Sequence, residues 1–390
     1  MRILTVAEDL DAHGGLERAQ LQACRELRAR GHRIDLLYTQ PGDLVSDWDL
    51  IVERKVRVRG YRLSPDSPFA TGMGVIAAAE AVRQLAPDLV YLHSPYHTPA
   101  IALSRRLSVC HLHLPPVELG RQDRFGLRSV RAFIAVSRST AEFWRTQLKR
   151  DPDDFVIVPN GVDVDRFRPS DDTDRRSLRA SMGLPVERFL VVYAGRIVPD
   201  KGVDCALDAM RLLPTEEYHL AIAGTSNAAS FGGSVAAANA YGSELRSRYS
   251  DVPASWLGHI DDVSQLIAAA DVVVLPSRWP DPFPLIVLET LASGTPIVAS
   301  AVGGIVEVMT GALAANLVPP DDPRALAERL RSLRGWRSRT PQLGLLGRKR
   351  IESDYGLAEM GNRLNEAIAQ VGARRGGPPL LPRMRSPSVA

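Results

Sequence analysis

The strongest constraint on this chain is a rhythm: short apolar runs rich in β-branched residues alternate with longer amphipathic stretches along most of its 390 residues. ILTVA (3–7) precedes a helical pattern over 16–30 and then RIDLLY (33–38), and DLVYLH (88–93), AFIAVS (132–137) and FVIVPN (155–160) continue the series. Each run is too short for a helix and too uniformly apolar for a strand with one wet face, so it reads as a strand buried on both sides. Strand, helix, strand in repetition dictates a parallel sheet covered by helices. After a polar segment at 168–181 the rhythm restarts with FLVVYAG (189–195), YHLAIAG (218–224), ASWLGH (254–259), DVVVLP (271–276) and PIVAS (296–300). A chain this long exceeds one typical core. The expectation is α/β: two doubly wound, Rossmann-like domains facing a cleft, joined by a linker near 161–186. Helical periodicity returns at 322–334 and 356–371.

Composition narrows the function. The formal charge is +3, but residues 372–390 hold four arginines and no acid, so the rest of the chain carries 3 − 4 = −1. A nearly neutral body without interleaved basic and aromatic residues gives no footprint for nucleic acid. That tail, rich in Gly, Pro, Ser and Arg, is expected to be disordered. The start, MRILTVAEDL, reads as a first strand and not as a signal peptide. No apolar run approaches the roughly 20 residues that span a bilayer, so at most peripheral membrane contact is expected. Cys24, Cys110 and Cys205 lie far apart without metal-ligand spacing, which suits buried thiols in a reducing, cytoplasmic setting.

Open α/β sheets bind ligands beyond the carboxyl ends of their strands. The segment after ILTVA, EDLDAHGGLER, lacks the GxGxxG of dinucleotide sites, and the P-loop lysine signature is also missing. Two other segments carry chemistry. In VVYAGRIVPDKGVDCALDAM (191–210) a strand ends at Gly195, followed by Arg196 and then Lys201 at a helix start. Two cations beside a helix N-terminus suit a diphosphate, although a solvated surface loop has the same look. In DVVVLPSRWPDPFPLIVLETLASGTPIVAS (271–300) a Pro-rich loop carries Asp281, a helix opens near Pro284, and Glu289 follows on its inner face. Carboxylates there accept from sugar and ribose hydroxyls, or simply favour the helix start.

The order AGR…DKG, then Asp281 and Glu289 within PSRWPDPFPLIVLETLASGTPIVAS, then Gly303-Gly304-x-x-Glu307, resembles the retaining GT-B glycosyltransferases of family four. HGGLER (13–18), LHSP (92–95), VCHLHLPP (109–116) and VPNGVDVDRF (158–167) extend the resemblance over roughly residues 1–370. It implies an acceptor-binding domain over 1–165, a nucleotide-sugar domain over 166–350, a helix at 351–371 returning to the first domain, and the basic tail 372–390. Arg196 and Lys201 would hold the donor diphosphate, Glu289 the ribose and Asp281 the sugar. Backbone at Phe283, Pro284, Leu285 and Ile286 would complete the phosphate site beside Gly195 and Gly224. Gly14 and Gly15 would let backbone approach donor phosphate and acceptor, and His113 would position sugar or acceptor. The family usually has Glu where Asp281 stands and Gly where Pro284 stands. The implied partners are a nucleotide-sugar, such as a UDP-sugar, and a hydroxyl acceptor: a sugar, polyol, secondary metabolite such as an aminocyclitol, or lipid. No cofactor and no metal are expected, since His93, His111 and His113 lack a carboxylate partner in sequence. A nucleotide-sugar epimerase and a noncatalytic sugar-nucleotide-binding subunit are the alternatives, and the acceptor loops, near 40–75 and 114–128, show no chemical pattern.

Overall fold

The computed structural model describes residues 1–11, 14–64, 66–114, 119–226, 235–260 and 262–373. The chain divides into two compact units, residues 1–161 with the helix Leu357–Ala373, and residues 162–356. The first holds strands β1 (Arg2–Asp9), β2 (Arg33–Gln40), β3 (Val52–Arg57), β4 (Leu89–Leu92), β5 (Ser108–Leu112), β6 (Ala132–Ala135) and β7 (Phe155–Ile157). They form one sheet in the order β3-β2-β1-β4-β5-β6-β7, every pair parallel. The second holds β8 (Phe189–Ala194), β9 (Tyr218–Ala223), β10 (Ala254–Gly258), β11 (Val272–Leu275), β12 (Ile297–Ser300) and β13 (Leu317–Val318). Its order is β10-β9-β8-β11-β12-β13, again all parallel.

The apolar runs are strands because both faces are covered. In the first unit Ile3, Leu36, Tyr91 and Ile134 pack on one side with Cys24 and Leu27 of the helix Gly15–Ala29. Leu4, Leu37, Val90 and Phe133 pack on the other with Val75 and Val82 of the helix Pro68–Leu85. The edge strand β3, VERKVR, escapes a search for apolar runs because it alternates half-buried and exposed residues. The helix Leu357–Ala373 sends Met360, Leu364 and Ile368 into the first unit's core, and Arg30 Nη2 donates to the Ala358 carbonyl (2.6 Å).

The units part at 161/162 and 356/357, and the expected linker is largely folded. The Val162 N–H donates to the Tyr355 carbonyl (2.9 Å), and the helix Asp172–Ser181 binds Asp271 through Arg175 and Arg179. The last helix runs two residues past its expected end, and 374–390, the rest of the expected disordered tail, lies outside the described residues. Among the described residues no helix is long and apolar enough to cross a membrane.

Candidate functional site

In the second unit the strand order reverses between β8 and β11, the position where open α/β sheets bind ligands. Gly195 and Arg196 follow β8, Gly224 follows β9, and the loop 276–284 follows β11. The β8 and β9 loops touch: a Cβ on Gly224, whose φ is +142°, would fall 1.8 Å from the Gly195 carbonyl oxygen. The Tyr193 hydroxyl, held neutral by burial, donates to the Arg196 carbonyl (2.6 Å) and fixes the turn that presents Arg196.

Lys201 ends a short 3₁₀ turn, Pro199–Lys201, and its ammonium donates to the Asp281 carboxylate. Asp281 is buried, and the Ser277 hydroxyl lies 3.4 Å from the same oxygen. Two residues expected to hold different parts of one ligand are therefore joined as an ion pair across 80 positions of sequence. Arg278 locks the two loops together. Its N–H donates to the Asp200 carbonyl (2.9 Å), and its guanidinium reaches both Asp204 oxygens (2.7 and 2.8 Å) and Asp321. Asp204 and Asp321 push that guanidinium further above its already high ordinary value.

The carbonyl of Asp281 accepts from the Gly304 N–H (2.8 Å), and a Cβ at Gly303 (φ +55°) would sit 2.3 Å from that oxygen. The glycine pair of the Gly-Gly-x-x-Glu pattern is thus what lets this segment lie against the Asp281 loop. Pro284 stands one residue earlier than a first helical position. It is the extended N-cap (φ −71°, ψ 125°) of the helix Leu285–Ala292, so its missing N–H removes no helical bond. The Leu285 and Ile286 amides fall in the first turn, which has no intrahelical acceptors. Phe283 is buried with its ring 5.6 Å from that of Tyr355, so its side chain is core. Glu289 lies half-buried within the helix.

In the first unit the order reverses between β1 and β4. Gly14 is the extended N-cap of the helix after β1 and Gly15 its exposed first residue, whereas His13 lies outside the described residues. His93 follows β4, His111 lies in β5, and His113 follows β5. Alternate positions of a strand share a face, which puts His111 and His113 together, and β4 pairs beside them. His93 Nδ1 and His113 Nε2 share a hydrogen bond at 3.1 Å, and the Tyr91 hydroxyl lies 2.6 Å from His111 Nδ1. Burial holds all three imidazoles neutral: His93 and His111 well below the ordinary range, His113 at about 3. One ring nitrogen from each lies within 4.8 Å of the others, a set that could hold a metal ion and contains no carboxylate. Nearby, His97 Nε2 lies 3.3 Å from Glu8, whose carboxyl it pulls below the usual range.

A family model described as Glycosyltransferase Family 4 matches residues 13–166, and one described as Glycosyl transferases group 1 matches residues 174–335. The chain belongs to glycosyltransferase family four. Among relatives of this family-four chain, a D-inositol 3-phosphate glycosyltransferase of Xylanimonas cellulosilytica is 34% identical over 247 residues, 63% of this chain and 58% of that protein. One of Mycobacterium tuberculosis is 38% identical over 171 residues, 43% of this chain and 33% of that protein. The matched regions thus span less than two thirds of either relative's length. Among solved structures, Anabaena HepE in complex with UDP-glucose superposes with a TM-score of 0.79 at 19% identity, covering 95% of this chain and 100% of that one. A glycosyltransferase of Rickettsia africae gives 0.81 at 17% identity, covering 96% and 99%. The GT-B fold of family four is therefore the fold of this chain.

The sequence did not single out Tyr193, Asp204, Ser277 or Arg278. Arg278 stands in the same Pro-rich loop as Asp281, but its partner Asp204 is 74 residues away, and no local pattern announces the pair.

Proposed function

We propose that this family-four chain is a retaining, metal-independent glycosyltransferase that moves a sugar from a nucleoside diphosphate sugar, a UDP-sugar in the first instance, to a hydroxyl acceptor. The observation that carries the proposal is the set of charged side chains on the loops leaving β8 and β11: Arg196, Lys201 paired with Asp281, and Arg278 clamping the two loops. As the glycosidic bond breaks, negative charge gathers on the leaving diphosphate, and pre-positioned cations stabilise it. Arg196 and Lys201 supply that charge, as a metal ion does elsewhere. The amides of Leu285 and Ile286 add donors from a helix start. Asp281 holds Lys201 in place and orients the sugar, while Glu289 takes the ribose hydroxyls.

Retention follows if the leaving phosphate itself deprotonates the incoming hydroxyl on the same face, a route that requires no protein base. His113 fits this scheme, because burial keeps it neutral and suited to positioning by hydrogen bonds. The relatives named D-inositol 3-phosphate glycosyltransferases make a polyol the first acceptor class to test. A reducing, cytoplasmic setting accords with three cysteines that are all free and buried.

The test is a screen of radiolabelled nucleotide-sugars against sugar, polyol, aminocyclitol and lipid acceptors, with mass and anomeric configuration of the product determined. The proposal predicts donor consumption only with acceptor, and a retained anomer. Conversion of donor without acceptor would indicate an epimerase, and no turnover of any donor a binding subunit.

A further inference from the structure

The second unit carries another concentration of charge at the opposite end of its sheet. Asp271 immediately precedes β11 and Phe189 opens β8, so this region lies a strand length, roughly 20 Å, from the loops that hold Lys201 and Asp281. A cavity of about 540 Å³ opens there, lined by seven arginines against two acids, Glu187 and Asp271. Asp172 and Glu217, just outside the lining, pair with Arg175 and Arg334, so seven arginines against four acids leave a local excess of three positive charges in a chain whose body beyond the tail sums to about −1.

Some of these arginines are structural. Arg179 is buried and spends its donors on Asp271, on the Ala269 carbonyl (2.8 Å) and on the carbonyls of Val186 and Arg188. Arg175 reaches Asp271 (2.7 Å) and Asp172 (2.8 Å) but leaves its Nε buried without an acceptor. At the mouth the situation differs. Among the described residues the exposed Arg331 and Arg339 meet only backbone carbonyls, and the half-buried Arg188 makes no ion pair. Arg337, beside the cavity, is pushed down to about 10 by burial and by the neighbouring Arg175 charge. Cations crowded enough to repel one another, with fork-shaped donors still open at the rim, form a receptor for a multiply charged anion.

We propose that this cavity binds a ligand carrying two or more phosphoryl groups, at a site separate from the donor loops of β8 and β11. Planar guanidiniums match phosphate oxygens bidentately, and the several arginines around one cavity suit more than one phosphate. The proposal rests on this cavity alone and does not depend on the transferase assignment.

The experiment titrates inorganic tripolyphosphate, with no nucleotide present, into the full chain of the Arg196→Ala variant, in which the donor loop after β8 has lost its cation. Binding is expected to persist in that variant and to weaken at least tenfold when Arg188→Ala/Arg331→Ala/Arg339→Ala is added. It should weaken less when the corresponding triple Lys change is added, which keeps charge but loses the fork. These are rim residues, and unchanged melting of each variant confirms folding. Absence of binding in the Arg196→Ala variant, or equal affinity with the triple Ala change added, overturns the proposal. A second arm distinguishes the source of the phosphates. Capture by cardiolipin-containing but not phosphatidylcholine vesicles, lost in the triple Ala variant, assigns a lipid headgroup with two phosphates. Vesicle capture that is absent, or indifferent to the variant, leaves a soluble polyphosphate as the ligand.

Discussion

Toward the carboxyl ends of β4 and β5 three neutral imidazoles lie ring against ring, His93 stacked on His113 and His111 tilted beside them, whereas at the carboxyl ends of β8 and β11 a lysine pairs with an aspartate and Arg278 clamps the two loops. The strand order around the two places is the same, 3-2-1-4 in the first unit and 10-9-8-11 in the second. Sheet topology therefore decides only where a ligand site falls. What it can bind is decided by the few residues just beyond each strand. On the proposed function, those in the second unit answer a diphosphate, and those in the first offer uncharged hydrogen-bonding groups that suit hydroxyls.

Lys201→Ala breaks the charged half of this comparison most severely. Loss of one cation at a leaving phosphate costs about 3–4 kcal/mol in the transition state, so turnover should fall by roughly 10²–10³. It also leaves the buried Asp281 carboxylate without its ammonium, costing about 1–3 kcal/mol of stability, or several degrees of melting temperature. Lys201→Ala/Asp281→Asn should recover most of the stability and none of the turnover. Steady-state kinetics and thermal melts on both variants check this, and near-normal turnover in the single variant removes Lys201 from the reaction.

The neutral half is tested with protons. A histidine whose native pKa lies below its unfolded value takes up a proton on unfolding at acid pH. Its contribution is fully present above about 6.5 and is lost as pH falls below it, at up to about 1.4 kcal/mol per pH unit. For His113 the window runs from about 6.5 down to about 3, and His93 and His111 act in the same direction. Hydrogen exchange, corrected for intrinsic rates, should show β4 and β5 losing protection before β8 and β11 between pH 6.5 and 5. Equal losses in both sheets would contradict the contrast drawn between them.

Arg278→Met probes the clamp and not the charge on the ligand. With Asp204 and Asp321 left unpaired and the two loops untied, KM for the donor should rise by roughly tenfold, about 1.4 kcal/mol, with a smaller change in kcat. A pure kcat loss would instead place Arg278 at the reacting atoms. The smallest effect belongs to Glu289→Gln. UDP affinity should fall about fivefold, near 1 kcal/mol, while affinity for inorganic pyrophosphate stays unchanged, as calorimetry with both ligands would show. A parallel loss for pyrophosphate would move Glu289 from ribose to phosphate.

The strands were legible because a run such as FLVVYA has no polar face to hide, and doubly covered sheets admit nothing else. β3 was not, since VERKVR satisfies an edge position with charge on every second residue. At the candidate site, local patterns gave Arg196, Lys201, Asp281 and Glu289 as separate signals. The Lys201–Asp281 and Arg278–Asp204 pairs depend on two loops meeting across a strand crossover, and no spacing along the chain encodes that. The histidine group was half visible: His111 and His113 share a face by strand periodicity, but His93 joins them only through the β4–β5 register. Phe283 was expected for its backbone, and no local pattern placed its ring, which packs against Tyr355.

The central claim, that the charged loops of the second unit and not the histidines of the first hold the donor diphosphate, is tested most directly by titrating UDP into the wild-type chain, Arg196→Ala and His113→Ala by calorimetry. A charge-assisted contact is worth about 1.5–3 kcal/mol, so Arg196→Ala should weaken UDP at least about tenfold, and His113→Ala should leave it within about twofold of wild type. Equal losses in the two variants, or a larger loss in His113→Ala, would contradict it.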